Sequence, residues 1–172
     1  IAIRSTYSVD EGFDPRRDAL SRTYRYTILS GSTPSPLLRR TTYRVGVSLD
    51  VEAMDRSARL LVGSHDFARF SGPLEDPRAS TEREVFVASA TRDGTMIMFD
   101  VEANAFLPHQ VRRMAGALVD VGRGALTLDD IKDMVHGGPS QAVAHALPPQ
   151  GLCLLSVDYA DFPPKKGDQN GG

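Results

Sequence analysis

Tyr24 and Tyr26 lie two residues apart in a stretch that alternates like a strand, and Arg22 stands two residues before Tyr24. Alternation places all three on one face. Aromatic rings beside cations on a sheet face stack unpaired bases in many RNA-binding modules, and a phenol can relay a proton. Two core or edge tyrosines on a half-buried strand fit the same pattern, and that is the plainer reading of the strand taken alone. The second chemical cluster is Arg112 and Arg113, early in a segment with a helical apolar stripe. Cations in a first helical turn face the unfavourable end of the dipole, at about 0.3–1 kcal/mol each. They are either solvated charges flanking the stripe or a pair that meets an anion.

Other chemistries find no residues to carry them. His65, His109, His136 and His145 have no metal-ligand spacing. Cys153 is the single cysteine, which excludes a disulfide framework and a four-cysteine zinc site and makes a reduced, cytoplasmic setting the default. Phosphate-loop, dinucleotide and nucleophile-elbow patterns are missing. Asp66, Asp129 and Asp130 suit turn and helix starts rather than acid–base work. The longest apolar run, Gly151 to Val157, is far short of the roughly 20 residues of a membrane helix. The start of the chain shows no signal-peptide pattern.

The elements that must position these residues follow from periodicity and punctuation. Arg22 to Leu29 is a strand, Gly31 to Pro36 a loop, and Thr41 to Val47 the returning strand. Residues 1–7 are weakly strand-like. Asp50 caps a helix whose stripe is Val51, Met54, Ala58, Leu61 and Val62, and Gly63 stops it. Asp66 opens a short turn that sets Phe67 and Phe70 on one side. Val85–Thr91 and Met96–Val101 form a hairpin around Asp93-Gly94. A second helix is predicted from about 107 to 122 with Val111, Met114, Ala115, Leu118 and Val121 inward, and a third after Thr127. Leu152–Val157 is the last strand, and residues 163–172 are a polar tail expected to be disordered. Strand pairs alternating with helices predict an α+β fold: an antiparallel-rich sheet with helices packed on one face.

A chain of 172 residues, 41% hydrophobic and 24% charged, is sized and composed for one domain over residues 1–162. Its net charge of −2 does not point to nucleic acid, but the distribution does. Residues 1–44 hold eight arginines against four acids, and lysine occurs only at Lys132, Lys165 and Lys166. Arginine suits phosphate forks and base stacking, although an arginine-biased genome produces the same excess. The chain opens Ile1-Ala2-Ile3-Arg4 without a methionine, as if a strand were already in progress, so a fragment of a longer protein is expected.

Five segments carry a family resemblance. Arg22-Thr23-Tyr24-Arg25-Tyr26 resembles the Arg-x-Tyr-x-Tyr strand of the TruA-type tRNA pseudouridine synthases. Gly63 to Phe70 is similar to their Gly-x-His-Asp-Phe-x-x-Phe segment, and Ser80-Thr81-Glu82-Arg83-Glu84-Val85 to their Ser-Thr-x-Arg strand. Asn104-Ala105-Phe106-Leu107-Pro108-His109-Gln110-Val111-Arg112-Arg113 resembles their helix start. Pro148 to Leu154 and Val157-Asp158-Tyr159 are similar to their closing strand. The five come in the family's order and span most of the chain.

The resemblance implies the C-terminal half of the pseudouridine synthase fold and an isomerase that detaches uracil from ribose and reattaches it through carbon, without a cofactor or metal. Its implied partners are the tRNA anticodon stem-loop and a second copy of the enzyme. The family's catalytic Asp lies in a Gly-Arg-Thr-Asp-Ala-Gly-Val-His segment that this sequence does not contain. Tyr24 matches the substrate-contacting tyrosine and Arg112 the arginine that pairs with the catalytic Asp; no role carries over to His109 or Gln110. Arg22, Arg25, Tyr26 and Arg113 are further candidate RNA contacts, and Tyr24 and Arg112 are expected to open onto one cleft. The segment by itself is expected to be inactive. A non-catalytic RNA-binding module and a dimerisation scaffold are the rival readings.

Overall fold

Strand alternation and three helical stripes sort the apolar side chains onto one side of a single sheet. The computed structural model describes residue 3, residues 5–31 and residues 34–160; the tail expected from residue 163 lies outside them. Six strands, β1 (Ser21–Ser30), β2 (Tyr43–Val45), β3 (Gly63–Asp66), β4 (Glu82–Asp93), β5 (Met96–Ala103) and β6 (Leu152–Asp158), run in the order β2-β1-β5-β4-β3. β6 pairs with Ser21–Tyr26 of β1, and β2 takes the remainder of that edge at Ile28–Ser30. Every pairing is antiparallel except β1 with β2. The fold is α+β, as the element order predicts.

The helices α1 (Val51–Arg59), α2 (Gln110–Gly122) and α3 (Leu128–His136) lie over the face that carries Tyr26, Ile28, Ile97, Phe99 and Val101. Met54, Met114, Leu118, Ile131 and Met134 meet these residues, all essentially sealed from solvent. Alternation turns Thr23, Arg25, Met98 and Asp100 to the opposite, helix-free face. Helix ends follow local chemistry. Asp50 accepts the Ala53 amide at 2.9 Å, and Thr127 with Asp130 forms a reciprocal capping box at α3. Hydrogen bonds from Thr127 and then Ser140 hold the Asp130 carboxyl below its ordinary range.

Four expectations need correction. The strand at Tyr43–Val45 does not return antiparallel; it is short and runs parallel to β1, because the 34–42 turns carry the chain back to the starting end first. Gly63 does not stop α1, which ends at Arg59; with φ at +115° it opens β3 instead. α2 begins at Gln110 rather than 107, since His109 is left-handed and the Gln110 side chain accepts the Leu107 amide at 2.7 Å. Residue 3 and residues 5–7 form no strand.

α2 passes so close to the chain at His145 that only glycine fits at Gly116: a Cβ there would stand 2.0 Å from the His145 carbonyl oxygen. Both sides of that contact are main chain, so neither can rotate away. Gly116→Ala is therefore expected to lower unfolding free energy by roughly 1–3 kcal/mol, read as an earlier urea midpoint at unchanged slope. An unchanged midpoint would show that the 144–147 segment does not press on α2.

Candidate functional site

At one end of the sheet, on its helix-bearing side, Tyr24 opens onto a cleft of about 430 Å³ walled by Pro15, Arg16, Arg22, Ala105, Phe106, Leu154 and Val157. Phe106 meets the Tyr24 ring edge-on, 5.3 Å between centroids at 88°. That contact fixes the phenol's orientation while leaving the ring half-buried. The Tyr24 hydroxyl makes no hydrogen bond to a described residue. Behind it the β1–β6 ladder slips between Thr23 and Tyr24, so Leu155 is left over and Leu154 stands opposite the tyrosine. A bulge of this kind bends the edge strand and re-aims its side chains.

Arg22 shapes the cleft rather than offering a free cation. Its guanidinium donates to the carbonyls of Asn104 (2.6 Å), Ala19 (3.4 Å) and Arg16. These bonds tie the 15–20 segment to the end of β5. Arg17 bonds within its own loop, to Asp18 and the Gly12 carbonyl, while its side chain stays exposed. Arg22, at least, belongs to the scaffold of this end of the sheet.

One candidate RNA contact, Tyr26, is corrected, and a second, Arg25, is held by an ion pair on the other face. Tyr26 is fully buried beneath the cleft. Its hydroxyl donates to the Pro148 carbonyl at 2.6 Å, and a Cβ on Gly151 would come within 2.8 Å of the ring. Burial pushes its phenol far above the ordinary value, with the nearby charge of Arg112 acting in the other direction. Arg25 alternates to the helix-free face and forks onto both oxygens of Asp100, at 2.7 and 2.8 Å. Hydrogen bonding to Asp100 raises its pKa further above the ordinary guanidinium value. It braces β1 against β5 and points away from the cleft.

Arg112 and Arg113 sit in the first turn of α2, and both reach the 144–147 segment. Arg112 Nε donates to the Leu147 carbonyl at 2.5 Å while the Leu147 amide returns a bond of 3.2 Å to the Arg112 carbonyl. Its two terminal nitrogens meet no acceptor among the described residues, and no carboxylate pairs with it. Arg113 donates from Nη1 to the Ala144 carbonyl at 2.7 Å and buries its Nε without a partner. Arg113 is a brace between α2 and the segment that precedes β6. Arg112 is not one of the residues that wall the Tyr24 cleft. Buried Tyr26 lies within electrostatic reach of Arg112.

Phe106, Leu154 and Asn104 were not singled out as site residues, although all three lie in the segments that carry the resemblance. The signal for Phe106 was its place two residues after Asn104, at the turn from β5 toward α2. Asn104 joins neighbouring elements: its Oδ1 accepts the amides of Glu84 and Ala105, and its carbonyl accepts Arg22. Among the described residues no group of three or more His, Cys, Asp or Glu could hold a metal ion, and no helix is long and apolar enough to cross a membrane.

The profile of the tRNA pseudouridine synthases matches residues 57–160, which include β3 through β6 and Arg112. The chain belongs to the tRNA pseudouridine synthase family. Among its relatives are proteins named tRNA pseudouridine synthase A from Geotalea uraniireducens, 38% identical across 92% of this chain, and Roseiflexus castenholzii, 41% identical across 94%. The corresponding protein of Geobacter sulfurreducens is 40% identical across 92%. Alignments of this length include both Tyr24 and Arg112. The chain spans 65%, 60% and 65% of those three relatives' lengths, somewhat under two thirds of a family member. Within the pseudouridine synthase fold, then, β1 supplies the Tyr24 cleft and α2 supplies Arg112.

Proposed function

We propose that this chain is the C-terminal, RNA-reading part of a tRNA pseudouridine synthase, an isomerase that converts uridine to pseudouridine in the anticodon stem-loop and works as a homodimer. The observation that carries this reading is Tyr24, half-buried, oriented by Phe106, and open to a cleft sized for a nucleotide at the end of a family-matched sheet. A base must leave its stack to be reached by an enzyme, and an aromatic face is what receives it. The phenol, with no competing hydrogen bond among the described residues, is available to pass a proton as the base is detached and turned.

Breaking and remaking the glycosidic bond calls for an ionised carboxylate aimed at the nucleotide. In the proposed enzyme it comes from the part of the family outside this chain and meets the terminal nitrogens of Arg112. A guanidinium there lowers the carboxylate's pKa and fixes its orientation. The Leu147 carbonyl holds Arg112 by Nε and leaves the two-pronged end for that partner. The chemistry needs no cofactor or metal.

Tyr24→Phe separates stacking from proton relay. In an enzyme of full family length carrying this segment, the variant is expected to keep its tRNA affinity and lose about 100-fold in turnover, the low end for one positioned proton-transfer group. Single-turnover rates at saturating enzyme, with binding measured alongside, are the readout. Unchanged turnover would remove the relay, and lost affinity would show that the hydroxyl binds rather than reacts.

A further inference from the structure

Two of the five family-like segments play no part in the Tyr24 cleft, and the β3–β4 ladder brings them together: His65 pairs with Arg83, Ser64 with Glu84 and Asp66 with Glu82. Partners in an antiparallel ladder share a face. His65 and Arg83 therefore stand with buried Val85 on the helix-bearing side, while Ser64, Asp66, Glu82 and Glu84 turn to the other. Arg83 thus faces the side of Tyr24, while Glu82 and Glu84 alternate to the other face yet still reach the cleft that Arg83 lines. Register places Arg83 and Tyr24 at the same end of the sheet, since Arg22 and Val85 both pair with Ala103 and Arg83 lies two residues beyond Val85.

A second cleft of about 360 Å³ opens here, walled by His65, Ser80, Glu82, Arg83, Glu84 and Asn104. Asn104 links it to the first site, since its carbonyl accepts Arg22, which walls the Tyr24 cleft. Arg83 is held in place without being neutralised. Its Nη1 donates to the carbonyls of Ser80 (2.9 Å) and Glu82 (2.5 Å), its Nε is buried with no partner, and no described carboxylate pairs with it. His65 is fixed by the Val62 carbonyl at 2.9 Å, and His136 from the last turn of α3 closes on it edge-on at 5.1 Å.

We propose that Arg83 and His65 form a phosphate subsite that takes the RNA backbone leading away from the nucleotide in the Tyr24 cleft. This rests on the proposed function, because it presumes that RNA occupies that cleft. A cation that neutralises one phosphate adds about 0.7–0.9 to the slope of log affinity against log salt, depending on whether the RNA is single- or double-stranded. Arg83→Gln in this chain is expected to weaken binding of an unmodified tRNA transcript several-fold and to flatten the salt slope by that amount. Arg83→Lys is expected to keep the slope. Ser80→Lys, which adds a charge at the exposed mouth, is expected to steepen it and tighten binding, and it keeps the test decisive if Arg83→Gln fails to fold. Arg56→Gln, on the exposed side of α1, removes a charge elsewhere and is expected to leave the slope unchanged. Parental slopes in both Arg83→Gln and Ser80→Lys would overturn the subsite while leaving the tRNA reading intact. A parent chain that shows no salt-dependent affinity for tRNA would overturn both.

Discussion

Arg112→Ala, in an enzyme of full family length carrying this segment, is expected to lower turnover by about 1,000-fold, the upper end for losing one preorganised charge partner. The same change removes the 2.5 Å bond to the Leu147 carbonyl. A hydrogen bond from a charged donor contributes roughly 1.5–3 kcal/mol, so melting should fall by several degrees while the enzyme remains folded at assay temperature. Two losses of different origin thus come from one side chain, and they can be separated. Arg112→Lys keeps the charge but loses the planar fork, since an ammonium cannot hold Leu147 and grip a carboxylate in two places at once. Activity in the lysine variant should recover only in part. The pH profile is the sharper readout. If Arg112 depresses the pKa of a catalytic carboxylate, the acidic limb of kcat should move upward in pH in Arg112→Ala, because that carboxylate then stays protonated to higher pH. A variant with a lowered melting temperature, parental turnover and an unmoved acidic limb would assign Arg112 to structure alone.

What the sequence made legible divides along the range of the interactions involved. The caps at Asp50 and Thr127, the stripe of α2 and the Asp93-Gly94 hairpin are set by residues a few positions apart, and all appear where periodicity puts them. The direction of β2 was not legible, because an antiparallel return and a parallel pairing differ only in how far the 34–42 turns carry the chain. Tyr26 shows the same limit within the site. Alternation correctly joins it to the face of Tyr24, but which part of that face is sealed depends on Pro148, Gly151 and α2, all more than eighty residues away in sequence. Arg22, Arg112 and Arg113 look like free cations because every acceptor they find is a main-chain carbonyl, and side-chain identity does not predict a carbonyl's position. The family resemblance reached Tyr24 and Arg112 by motif, without the intervening geometry. It therefore missed that Phe106 orients one and Leu147 holds the other.

The 172-residue chain by itself is expected to make no pseudouridine, because each acid near the site is already committed or faces away from it. Asp100 is locked by Arg25 on the helix-free face, and Glu82 and Glu84 turn toward the same side. Asp66 accepts the Ala68 amide and the Thr81 hydroxyl, and Asp130 completes the α3 capping box while also accepting Ser140. Asp158 follows the cleft residue Val157 and is the best-placed substitute, but the Ser21 hydroxyl donates to it at 3.0 Å across the sheet edge. Arg112 correspondingly meets no carboxylate among the described residues. A folded cleft that binds a base without a nucleophile aligned on it lacks the step that splits the reaction into two lower barriers. The expected result is salt-sensitive tRNA binding with no product. Purified chain is incubated with unmodified tRNA transcript at low salt, the RNA is digested to nucleosides, and pseudouridine is quantified against a no-enzyme control. Asp158→Asn, run in parallel, tests one local alternative. Product from the parent chain that vanishes in Asp158→Asn would move the nucleophile to β6, and product that persists would mean another acid of this chain can reach the cleft.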